Sequence, residues 1–211
     1  MIIFDLDGTL ADCEHRRHFV DLKKAEEKGI CEEDVYCDMG GYQSHGWFYT
    51  NDPDRRWKPN WSAFYEACDK DTPIEPVINI LDGIYFNSKD EKFFLQNVQI
   101  WSCRCESVRE KTIEWLNKHI LFEGIAKKMT VKMRPVGDST PDDVLKERWF
   151  DEYNLNLYPP LIPCSDNVMD GFTYKRNDPV EMVFDDRKKV VEMWRRRGIF
   201  VFDVSQGKGN F

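Results

Sequence analysis

The chain of 211 residues is 41% hydrophobic and 14% aromatic, enough apolar material for one good core with an insertion, and too much for a disordered chain. Its net charge of -8 argues against a long, non-specific nucleic-acid track but leaves room for a short site that takes a strand end. No apolar run approaches the roughly 18 residues of a membrane span, and the N-terminal apolar run leads straight into acids, so the expectation is a soluble cytoplasmic protein with no signal peptide.

The first expected element is a strand over residues 1–5, Met1-Ile2-Ile3-Phe4-Asp5, followed by Asp7, Gly8 and Thr9. Residues i and i+2 at a strand end point the same way, so Asp5 and Asp7 converge beyond the sheet edge. Two carboxylates that close call for a hard cation, and Mg²⁺ is the natural one. Gly8 permits a sharp turn, and Thr9 can hydrogen-bond it. An acidic turn or a plain cation site would carry the same residues.

Residues 13–73 then form an insertion too long for a simple connection. It carries a charged helix near 15–28, a Gly40-Gly41 break, and the aromatics Trp47, Phe48, Tyr49, Trp57, Trp61, Phe64 and Tyr65. Those aromatics either fill a small core of their own or stack a nucleobase. His15, Arg16 and His18 face either the pocket or solvent. Basic runs such as Arg16-Arg17 and Arg195 to Arg197 read as solvated faces. Cys13, His15, His18, Cys31, Cys37 and His45 could hold zinc, but no C-x₂-C pair is present. The odd count of seven cysteines fits reduced thiols.

Beyond the insertion, strand and helix alternate. Helix 74–88 precedes strand 97–102, helix 106–119, strand 129–134 and helix 141–150. A second insertion over 151–179 has no clean periodicity, and strand 180–184, helix 187–197 and strand 199–204 follow. Such alternation implies an α/β fold with a parallel sheet and helices on both faces. Strand 97–102 ends in Ser102, and strand 180–184 runs into Asp185-Asp186. His119 reads as a helix-end residue. No G-x-x-x-x-G-K-[ST] loop is present, so phosphorylation by that route is not expected.

The segment Asp5-Leu6-Asp7-Gly8-Thr9-Leu10 resembles the first signature of the haloacid dehalogenase (HAD) superfamily, D-x-D-G-T-[LV]. Ser102-Cys103-Arg104, Met133-Arg134, Asp142-Asp143-Val144-Leu145-Lys146 and the run from Asp185 to Arg196 resemble, more narrowly, the 3'-phosphatase domain of phage polynucleotide kinase/phosphatase. The resemblance covers residues 1–12 and most of 74–211. It implies a HAD-like Rossmannoid core over 1–12 and 74–211, with residues 13–73 as a small cap. It implies Asp5 as nucleophile and Asp7 as acid and base. Thr9, Ser102, Arg104, Arg134 and Lys146 become substrate-binding side chains, and Asp5, Asp7, Asp185 and Asp186 the Mg²⁺ side. Surface salt bridges are the alternative for Arg104 and Arg134, and Arg187, opening a helix beside the acids, is expected to orient Asp186 instead of touching substrate. Cys103, where the domain has Gly, and Cys105 are departures. The implied activity is a Mg²⁺-dependent phosphomonoesterase acting through an aspartyl-phosphate on nucleic-acid 3'-phosphate ends. Free nucleoside monophosphates, or a non-catalytic module that holds phosphate ends, are the alternatives. No protein partner is expected.

Overall fold

Alternate residues along the core strands feed two separate apolar clusters, and that alternation decides the layering. The computed structural model describes residues 1–29, 47–48, 57–120, 124–157 and 179–205. Its main sheet has five strands: β1 (Ile2–Phe4), β2 (Val98–Cys105), β3 (Thr130–Arg134), β4 (Met182–Asp185) and β5 (Phe200–Asp203). Their order is β3-β2-β1-β4-β5, and every neighbouring pair is parallel.

Phe4, Ile100, Val131, Met133 and Phe184 fall in one cluster. They meet Val77, Ile78 and Leu81 of α3 (Glu75–Asn87), Phe94 of α4 (Glu91–Asn97), and Trp115 and Leu116 of α5 (Arg109–His119). Ile3, Trp101 and Val183, one position away, point to the other face. There they pack with Leu145 and Trp149 of α6 (Asp142–Leu157) and with Val190, Met193 and Trp194 of α7 (Lys188–Arg196). The fold is α/β with helices on both faces, as the strand and helix alternation implied. Because all five strands run the same way, their carboxyl ends share one edge, where β1 and β4 deliver their acids.

Three differences from the sequence expectation have local causes. The expected helix 15–28 is broken into a 3-10 segment, Glu14–Phe19, and α1 (Leu22–Glu27). Asp21 stands at the break and caps α1 by accepting a hydrogen bond from the Lys24 amide. The short helix α4 was not expected; Asp90 caps it at the Phe93 amide, 2.7 Å away, and Phe94 anchors it in the core. Helix α6 runs past residue 150, with Tyr153 continuing onto Trp101 edge to face at 6.5 Å.

Residues 11–12 pair antiparallel with 72–73, so the long insertion leaves and re-enters the core side by side. Within it, 47–48 pair with 57–58, and α2 (Trp61–Glu66) is capped by Asn60, whose side chain accepts from the Ala63 amide. The Gly40-Gly41 break, Tyr49, Cys31, Cys37 and His45 lie outside the described residues, as do Cys164 and Tyr158, Tyr174, Lys175 and Arg176 of the second insertion and the ending Gly207 to Phe211. Among the described residues, no helix is long and apolar enough to cross a membrane.

Candidate active site

Strand β1 stops at Phe4, and the Asp5 amide donates to the Phe184 carbonyl, so Asp5 sits where β1 and β4 end together. The chain then turns tightly, with the amides of Thr9, Leu10 and Ala11 all donating to the Leu6 carbonyl. Gly8 adopts φ +84° inside this turn, and a Cβ there would lie 2.0 Å from Asp186 Oδ2. Backbone sign and contact both demand glycine.

Carboxylate oxygens of Asp5, Asp185 and Asp186 lie within 4.8 Å of one another. Lys146, reaching in from α6, is buried and forms ion pairs with Asp5 Oδ1 at 2.7 Å and Asp185 Oδ2 at 2.8 Å. Thr9 Oγ1 donates to Asp186 Oδ1 at 3.4 Å. Three acids thus face one ammonium in a buried setting, a deficit of two positive charges. Burial pushes the Asp5 carboxyl well above its usual range, and Asp185 and Asp186 add to the shift, while the Lys146 ammonium opposes it. Asp186 is pushed up to about 7 by burial and by Asp185. A divalent cation with oxygen preference would remove that deficit, and the donor set, all hard carboxylates, suits Mg²⁺.

Asp7 occupies a second, different electrostatic setting. Its Oδ1 accepts from Arg16 Nη2 at 2.7 Å and from Arg104 Nε and Nη2 at 2.8 and 2.6 Å. Buried Asp71 receives the other side of both guanidiniums, Arg16 through Nε and Nη2 and Arg104 through Nη2. Two acids and two arginines balance here. Burial raises Asp7, but the Arg104 and Arg16 guanidiniums outweigh it and hold the carboxyl at about 2. Its carboxylate therefore stands apart from the three-acid group, although the sequence reading put it on the metal side. Asp7 Oδ2 has no partner among the described residues, and Asp7 lines the cavity above the site.

The arginines assigned to substrate are engaged otherwise. Arg104 is fully buried, and its guanidinium donates to Asp7 and Asp71. Arg134 lines the cavity but donates to the carbonyls of Cys103, Asp138 and Thr140 and to Asp142 Oδ1, clasping the loop that leads into α6. Arg187 pairs with Asp142, and its charge also acts on Asp186. Ser102 is buried, its Oγ accepting from the Arg104 amide at 3.1 Å. Arg16, whose run read as a solvated face, is completely buried, with its guanidinium 4.0 Å from the Phe64 ring centroid. Asp71 carried no sequence signal: a single Asp ahead of Thr-Pro looks like any turn. Of the six zinc candidates, Cys13 is buried and lines the cavity, His15 bonds Asp71 at 2.9 Å, and His18 lies 3.0 Å from Lys28 Nζ. His119 ends α5 as expected, against Trp115.

A cavity of about 580 Å³ opens over Asp5 and Asp7. Trp61, Phe64 and Tyr65 of α2 form part of its wall, with Cys103, Arg134, Arg187 and the start of α7 around the rest.

Comparison with known proteins bears on the fold and the family. The family described as the polynucleotide kinase PNKP phosphatase domain matches residues 174–211, the stretch that holds Asp185, Asp186 and α7. A putative phosphatase from Clostridium difficile has a similar structure, with a TM-score of 0.52 and 18% identity over 100% of this chain and 86% of that one. The chain has a HAD-like fold. It resembles the HAD phosphatases related to polynucleotide kinase/phosphatase. Two structures of the Pnkp1/Rnl/Hen1 complex, one titled as an RNA repair complex, contain chains with TM-scores of 0.50 and 0.51 at 22% and 21% identity. Each match covers 96% of this chain, which spans only 41% and 44% of those longer chains. A search of curated proteins found no match. In the HAD-like frame, β1 and β4 are the strands that bring the four acids from opposite ends of the sequence to one sheet edge.

The charge deficit has a measurable consequence. Asp186 is raised in the folded state, so its contribution favours folding below about pH 4 and is lost as pH rises through about 7. A bound cation favours the ionised carboxylate and offsets that loss. The rise in melting temperature on adding Mg²⁺ is therefore expected to be small at pH 5.5 and to grow toward pH 8. An equal rise at both pH values would contradict this electrostatic account.

Proposed function

We propose that this protein is a Mg²⁺-dependent phosphomonoesterase that works through an aspartyl-phosphate on Asp5, with nucleic-acid 3'-phosphate ends as its preferred substrate. The observation that carries the reading is the group of three acids, Asp5 and Asp185 buried and Asp186 half-buried, facing Lys146 beneath a cavity. Asp5, Asp185 and Asp186 would hold the cation, which when bound supplies charge neutralisation for the phosphoryl oxygens. An Asp5 oxygen attacks phosphorus, and the bond to the leaving hydroxyl oxygen breaks as that oxygen takes a proton from Asp7. Water then attacks the acyl phosphate and gives its proton to Asp7, freeing inorganic phosphate and Asp5. The arginine pair favours ionised Asp7 and so suits the second half best. Lys146 holds the Asp5 carboxylate in place, and Arg16 and Arg104 do the same for Asp7. The insertion over 13–73 acts as a cap over the site.

The cavity volume also suits a small molecule, which favours free nucleoside monophosphates as a second substrate class. Steady-state phosphate release separates them. With Mg²⁺, a 3'-phosphorylated oligonucleotide is expected to show a higher kcat/KM than any nucleoside monophosphate, and chelation should stop both reactions. The reverse order would make the protein a nucleotidase. No turnover of these or of an aryl phosphate would leave a binding module.

A further inference from the structure

The cavity wall holds two features that phosphate hydrolysis itself does not use. Trp61, in the first turn of α2, leaves 44% of its surface exposed although it borders the cavity. Tyr65 lies one turn on, its ring 6.0 Å away and 29° from parallel. Both ends of this platform are tied down: the Asn60 amide donates to the Phe19 carbonyl at 2.7 Å, and the Tyr65 hydroxyl donates to the Cys103 carbonyl at 3.5 Å. The same cavity is bordered by Lys188 and Lys189, which open α7 and are exposed. Neither lysine pairs with an acid among the described residues, unlike Arg134 and Arg187, which share Asp142.

An exposed, rigidly mounted indole suits the face of a nucleobase, and a pair of unneutralised lysines at a helix start suits a phosphodiester. A nucleoside monophosphate held at Asp5 would use only the first of these. We propose that Trp61 is the platform on which the nucleobase of the leaving nucleoside stacks, and that Lys188 and Lys189 receive the phosphodiester preceding it. The preferred substrate is then a strand end of at least two nucleotides. This rests on the phosphatase reading above and adds the part of the protein that selects the leaving group.

Three substrates test it with purified protein and Mg²⁺: glycerol phosphate, a nucleoside 3'-monophosphate, and a dinucleotide ending in a 3'-phosphate. Trp61→Ala is expected to lower the kcat/KM ratio of nucleoside 3'-monophosphate to glycerol phosphate by about five- to a hundredfold, while Trp61→Phe keeps most of it. The double variant Lys188→Ala/Lys189→Ala is expected to lower the ratio of dinucleotide to mononucleotide, with the difference fading at high salt. Proportional losses on all three substrates in Trp61→Ala would reduce Trp61 to a structural residue. An unmoved ratio in the double variant would remove the phosphodiester seat. Asp5→Asn keeps the two levels separate: turnover in that variant refutes the phosphatase reading, whereas an inactive Asp5→Asn alongside unmoved ratios sinks only this inference.

Discussion

Under the proposed mechanism Asp5→Asn is expected to lower phosphate-ester turnover by about 10⁴-fold or more, because an amide cannot act as the covalent nucleophile. The same change is expected to leave metal-free stability at pH 7 unchanged or raised. Folding pushes the Asp5 carboxyl well above its usual range, so its ionised form opposes the native state, and a neutral amide of the same shape removes that cost. Lys146 keeps Asp185 as a partner at 2.8 Å. Any stabilisation by added Mg²⁺ should shrink at the same time, since one of the three carboxylates that would hold the proposed cation loses its charge. Phosphate release and thermal melts with and without Mg²⁺ measure all three effects. Residual activity close to that of the unaltered protein would end the assignment of Asp5 as nucleophile.

Lys146→Met is expected to have the largest effect on stability. Methionine keeps the apolar stem of the side chain but removes the ammonium that pairs with buried Asp5 and Asp185 beside half-buried Asp186. Breaking a buried ion pair from one side costs about 3–5 kcal/mol, and solvent does not screen this pair, since Lys146 and Asp185 are both almost fully enclosed. The sign with pH follows from the direction of the shifts. Without the ammonium, Asp5 and Asp186 are pushed up further, so the penalty is small near pH 5, where these two take up protons, and large near pH 8. Mg²⁺ should recover part of the loss. Denaturant unfolding at the two pH values provides the test, and a loss that is the same at both would mean that the lysine acts through packing alone.

Much of the site could be read along the chain because its parts are local. The apolar run before Asp5 and Asp7, the Gly-Thr turn, and the acids after residues 180–184 each occupy one strand end, and the order of strands and helices brings such ends to one edge of a parallel sheet. The need for glycine at position 8 was legible as a turn. Its contact with Asp186, 178 residues away, was not.

The sequence by itself determined the layered α/β core and the two acidic strand ends, since hydrophobic periodicity and short motifs act over a few residues. Tertiary packing alone decided how the charges pair. Arg16 and Arg104 turn to Asp7 and Asp71 across separations of up to 97 residues, Arg134 and Arg187 share Asp142, and the three-acid group is left two charges short. A charged residue in a run looks the same whether water or a buried partner neutralises it; only the folded chain removes the water and makes the choice.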